Sequence, residues 1–133
     1  MLELSPLARA VASLQRGLSR WQANPEDEEL RDAVIQRFEF TFELAWKFVR
    51  RQLAQELPSP RDLSLMSFQE LFREAARRGL IRDPEQWFFF RYCRNLTSHT
   101  YDPAKAKEVA DAAGPFLQEA QALLSELKTR NRA

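Results

Sequence analysis

The stretch Gln36-Arg37-Phe38-Glu39-Phe40-Thr41-Phe42-Glu43-Leu44-Ala45-Trp46-Lys47 decides the fold. It lies within a run free of glycine and proline, from about Glu26 to Leu57, whose apolar residues recur at three- and four-residue steps. That spacing predicts one long amphipathic helix. One face reads Leu30, Ala33, Val34, Phe38, Phe42, Ala45, Trp46, Val49 and Leu53, and a second reads Phe40, Leu44 and Phe48. Two apolar faces need more cover than a single neighbour offers, so the helix is expected at the centre of a bundle, with part of it at a subunit interface. Glu26, Asp27, Glu28 and Glu29 crowd its start, where the positive end of the helix dipole favours carboxylates.

The flanking sequence continues the pattern. Upstream, Ser5-Pro6 predicts a capped helix start, followed by the stripe Leu7, Ala10, Val11, Leu14, Leu18 and Trp21, and Asn24-Pro25 breaks it. Downstream, Pro58-Ser59-Pro60 ends the long helix, and Ser67 with Glu70 forms a capping-box pattern for a short helix, Phe68 to Arg78, closed by Gly79. Asp83-Pro84 opens a further helix, about Pro84 to Ser98, and Asp102-Pro103 opens the last, whose stripe runs from Val109 to Leu127. Gly114-Pro115 falls inside that stripe and is expected to kink it. With three glycines in 133 residues and no alternating strand pattern, the chain is expected to be all-α. The architecture expected is an up-and-down four-helix bundle with one additional short helix, a single domain over residues 1–133.

Composition narrows the function. Twenty basic against nineteen acidic residues give a net charge of +1, so an anionic partner must be met by a local patch. Sixteen of the basic residues are arginines, which suits bidentate anion binding but equally a GC-rich coding bias. A lone Cys93 excludes an intrachain disulfide and any multi-cysteine metal site, and a lone His99 excludes a two-histidine zinc site. The three glycines stand apart, so no Gly-rich phosphate loop exists. No apolar run approaches membrane-spanning length and no signal-peptide pattern opens the chain, so a cytoplasmic protein is expected. A Cys93–His99 dyad is disfavoured, since six residues leave the two about 120° apart on a helix. Cys93 is expected in the core.

What remains is Arg91-Tyr92-Cys93-Arg94-Asn95-Leu96-Thr97-Ser98-His99-Thr100-Tyr101-Asp102, a dense set of polar groups at one helix end. Arg91, Asn95 and Ser98 share a face by the three- and four-residue rule. Arg94 and His99 stand about 140° apart on an ideal helix. They converge only if the helix unwinds near Ser98, if the arginine side chain wraps, or if a second subunit completes the site. The structural alternative is a C-terminal cap, in which these side chains satisfy the last carbonyls. The chemistry open to such a group is RNA cleavage by the 2′-hydroxyl. Histidine can move a proton near neutral pH, and Arg94 or Arg91 can hold the phosphate charge. Asn95 or Ser98 can position a phosphate oxygen. In the central stretch, Glu39 and Glu43 lie one turn apart on one face, and pairing of Glu39 or Glu43 with Arg91 or Arg94 is expected. Of the run Trp87-Phe88-Phe89-Phe90, most rings are expected in the core or at a dimer contact, with base stacking the lesser option.

Arg31-Asp32, the block Ile35 to Lys47, Gly79-Leu80-Ile81, Trp87, and Arg94-Asn95 with Ser98-His99-Thr100-Tyr101 together resemble the nucleotidyltransferase substrate-binding family, within the HEPN superfamily of small helical proteins. Arg94, His99 and Tyr101 match the R-x4-H-x-Y signature of that family without departure. The resemblance implies a partner encoded nearby, a minimal nucleotidyltransferase, and assembly through homodimers. In the toxin–antitoxin branch it implies a metal-independent ribonuclease with Arg94 and His99 as the matching catalytic residues and RNA as substrate. Tyr101 there matches the tyrosine that receives AMP from the partner. The competing expectations are a non-catalytic substrate-binding subunit and a plain oligomerisation module. No cofactor and no metal is expected.

Overall fold

A computed structural model describes residues 1–132. Six α-helices follow in order among these residues, with no strand: α1 Ser5–Ala23, α2 Glu28–Glu56, α3 Pro60–Ser64, α4 Phe68–Arg77, α5 Pro84–Asn95 and α6 Pro103–Arg130. A 3₁₀ turn, Thr97–His99, joins α5 to α6. The fold is an all-α helical bundle, as the periodicity predicts. No helix among the described residues is long and apolar enough to cross a membrane.

Local chemistry sets most helix ends. Asp27 caps α2 by accepting from the backbone N–H groups of Glu29 and Leu30, so the helix starts two residues later than its acidic run suggests. Ser67 and Glu70 form the full capping box of α4. Asp83 and Asp102 cap α5 and α6, each followed by proline in the first turn. Gly79, at φ +74°, ends α4: its N–H donates to Ala76 and that of Leu80 to Ala75, a left-handed closure glycine adopts freely. Ser5 departs from expectation. It is the first helical residue rather than the cap, and its hydroxyl donates to Glu3.

The two faces of α2 put it at the centre, where it packs against every other element. Its stripe of Val34, Phe38, Phe42, Ala45, Val49 and Leu53 is buried, and Phe48 of the second face joins it. Phe40 stays exposed and Leu44 half-buried. Phe116 of α6 lies at the core's aromatic hub, with ring centroids 5.0 Å from Phe38, 5.2 Å from Phe90 and 5.8 Å from Trp87. Edge-on contacts of this kind add to the burial of ring area that drives the bundle together. The chain of rings runs outward from Phe42 to Phe68 at 6.1 Å, and so carries the core to the surface beside the polar end of α5.

Two further features differ from the sequence expectation. Pro58-Ser59-Pro60 does not merely break the chain, since Pro60 opens the one-turn helix α3. The α5 helix stops at Asn95, three residues early: Leu96 N–H donates to Cys93 across a tightened turn, and the Thr97 hydroxyl lies 2.8 Å from the Arg94 carbonyl.

A candidate functional site at the end of the fifth helix

Two carboxylates one turn apart on α2 hold the end of α5. Glu43 Oε1 accepts from Arg94 Nε at 2.7 Å and its Oε2 accepts from the Trp46 indole N–H at 3.2 Å. Glu39, one turn earlier, bonds the Thr97 hydroxyl. Arg94 and Thr97 lie three residues apart, so the spacing of Glu39 and Glu43 is matched by that of the groups they hold. The expected carboxylate–arginine pairing therefore forms as Glu43–Arg94. Arg91 takes a different role, its guanidinium lying 4.6 Å from the centre of the Phe68 ring. Thr97 was not expected in the site. Its signal is its position, three residues after the arginine and opposite Glu39.

Beyond this clamp the chain turns outward. The 3₁₀ turn leaves Ser98 and His99 exposed, and Tyr101 is 83% exposed. His99 is anchored by its backbone, donating to Leu96 and accepting from Asp102 N–H. Among the described residues its imidazole makes no hydrogen bond, and neither does the phenol of Tyr101 nor the side chains of Asn95 and Ser98. The rings of His99 and Tyr101 stand 6.3 Å apart, edge to face. These groups do not cap the carbonyls of α5, which removes the main argument for a purely structural helix end.

The unwinding required for Arg94 and His99 to leave ideal-helix geometry does occur, between Asn95 and Thr97. Arg94 nevertheless points to Glu43, with 38% of its side chain exposed, and makes no hydrogen bond to His99 among the described residues. Phe42, Glu43, Trp46, Phe68, Arg91, Arg94 and Asn95 line a cleft of about 200 Å³. Its walls are aromatic and its charged groups are two arginines and one carboxylate, a composition that suits a phosphate next to a flat ring. Cys93 faces the other way, into the core, where burial first and the Glu108 charge second push its thiol up to about 12. It is no nucleophile at neutral pH. Of the aromatic run, Trp87 and Phe90 are core, Phe88 is half-buried and Phe89 is exposed.

Comparison with known proteins adds an independent line. Residues 2–129 match the family model described as nucleotidyltransferase substrate binding protein like. A Haemophilus influenzae protein named probable ribonuclease HepT is 44% identical over 99 residues, covering 74% of this chain and 68% of the relative. Among solved structures, one from Haemophilus influenzae superposes with a TM-score of 0.90 at 35% identity, covering 95% of this chain and 99% of the other. It is described as revealing the fold of a substrate-binding domain of a nucleotidyltransferase. A Thermus thermophilus protein is similar at a TM-score of 0.74 and 28% identity, covering 92% and 98% of the two chains.

Proposed function

The chain belongs to the nucleotidyltransferase substrate-binding protein family, and from that premise we propose that it is the HEPN-type partner of a separately encoded minimal nucleotidyltransferase and a ribonuclease in its own right. One observation supports this most. His99 and Tyr101 stand exposed and unbonded on one short turn, while Glu43 holds the arginine of the same signature at the end of the preceding helix.

In the proposed reaction the RNA 2′-oxygen attacks the adjacent phosphorus, the bond from phosphorus to the 5′-oxygen breaks, and a cyclic phosphate results. His99 takes the 2′-hydroxyl proton or returns one to the leaving oxygen. Arg94 bears the charge that grows on the phosphate oxygens, pre-oriented by its ion pair. Arg91, Asn95 and Ser98 position the strand. A homodimer that brings two such turns together supplies a second histidine, so that one can act as base and the other as acid. Tyr101 is the acceptor for AMP, and its modification silences the site.

The test is RNA cleavage by the purified chain in EDTA, wild type beside His99→Ala. Loss of about 10²–10⁴-fold with unchanged helicity supports histidine acid–base work. Activity that survives the substitution refutes it. Tyr101→Phe should leave cleavage largely intact and abolish partner-dependent labelling by AMP, and persistent labelling would move the acceptor elsewhere. A second reading, a non-catalytic binding subunit, is favoured by the Glu43–Arg94 pair itself, since an incoming phosphate must compete with that carboxylate. No cleavage by folded, dimeric wild type selects it.

A further inference from the structure

Trp46 stands between two depressions. On one side it closes the cleft that holds Arg91 and Arg94. On the other it opens a groove of about 510 Å³ lined with Lys47, Arg50, Arg51, Ala54 and Leu63. Lys47, Arg50 and Arg51 are exposed within little more than one turn of α2, and among the described residues none of the three forms an ion pair. The Arg51 guanidinium is steadied 5.1 Å above the Phe48 ring. No carboxylate lines this groove among the described residues. In a chain of net charge +1, three adjacent unpaired cations mark a local anion-binding surface.

From these observations we infer that the groove is a track for single-stranded RNA leading into the site: Lys47, Arg50 and Arg51 bind successive backbone phosphates, and the half-buried Trp46 stacks a base where the track meets Arg94. The inference rests on the ribonuclease reading of the site. Glu43 to Arg51 span about 12 Å of helix axis, room for a short extended segment and too little for a duplex face. A basic groove with an aromatic wall is what sequence-tolerant single-strand binding requires. The α1 side offers a second basic surface, Arg16 and Arg20 with Arg37, but Arg37 is engaged by the Ser13 carbonyl and that surface shares no residue with the site.

The test is fluorescence anisotropy with a short labelled single-stranded oligoribonucleotide in EDTA, titrated at several salt concentrations. His99→Ala provides a background that binds without cutting. On it, Lys47→Gln/Arg50→Gln/Arg51→Gln should weaken binding at least about tenfold and flatten the log–log salt slope by about two, the value expected for three lost phosphate contacts. Arg16→Gln/Arg20→Gln should leave both unchanged. Trp46→Leu should weaken binding further, but Trp46 also touches Glu43 and Phe68, so the cation variants decide. Equal affinity of the triple variant, or equal loss from the Arg16/Arg20 variant, overturns the track. Intact RNA binding with weakened capture of the nucleotidyltransferase also overturns it and makes the groove a protein-docking surface. Failure of the ribonuclease reading shows separately, as absence of cleavage by the wild type while the binding data stand.

Discussion

Glu43 divides its two oxygens between Arg94 and the Trp46 indole, so one carboxylate sets both the arginine and the ring that walls the cleft. The pair is about one-third exposed on each side, which limits its contribution to stability. Glu43→Gln should therefore cost less than about 1 kcal/mol in chemical denaturation. It should lower RNA cleavage far more, by up to about 10²-fold, because the arginine loses its fixed position. Equal small losses in both measurements would show that Glu43 is only a surface partner. Cys93 makes the opposite case, a reactive side chain silenced by burial. It should resist alkylation at pH 8 until denaturant is added. Its folded thiol titrates near 12 against an ordinary 9.0, so the fold retains a proton that the unfolded chain releases in between. Stability is then fully present below pH 9 and declines as pH rises toward 12. Cys93→Ala should flatten that decline, read from denaturation midpoints between about pH 8 and 11.

At the scale of elements, α6 runs unbroken from Pro103 to Arg130 through Pro115. The missing Pro115 N–H leaves the carbonyl of Asp111 without its helical partner, and Asp111 is exposed, so water can replace it. Gly114 supplies the permissive residue before the ring, with nothing within 4 Å of where its Cβ would be. Pro115→Ala should stabilise the bundle by about 1–3 kcal/mol, read as a higher melting temperature. Local signals such as Asp-Pro starts, the capping box and Gly79 made most helix ends legible in the sequence, because each is decided within a few residues. The end of α5 was not. It depends on Thr97 meeting Glu39 from another helix, a tertiary contact invisible to periodicity. That a carboxylate of this α2 face would pair with an arginine of α5 was legible, since charges interleaved with phenylalanines need partners. Which arginine of the two would pair was not, because Phe68 claims Arg91.

The whole molecule is closed at the other end of α2 by a polar clasp. Arg130 donates to Glu56 at 3.0 Å, to Glu126 at 2.9 Å and to the Arg78 carbonyl at 2.6 Å, tying α6 to α2 and to the end of α4. Asn131 adds a bond to Gln52. Arg130→Ala should cost about 1–3 kcal/mol, visible as a lower melting temperature, because it leaves Glu56 three-quarters buried without its main cation. Cleavage measured well below that temperature should hardly change. The long central helix also sorts charge along its length. Glu26, Asp27, Glu28 and Glu29 crowd its beginning, and Lys47, Arg50 and Arg51 stand about 30 Å further along. The net charge of +1 thus conceals a local positive field at the groove. A polyanion nearing that groove feels the potential of its cations while still about a Debye length away, before any contact forms. Salt should then slow the encounter and leave the lifetime of the bound complex comparatively untouched.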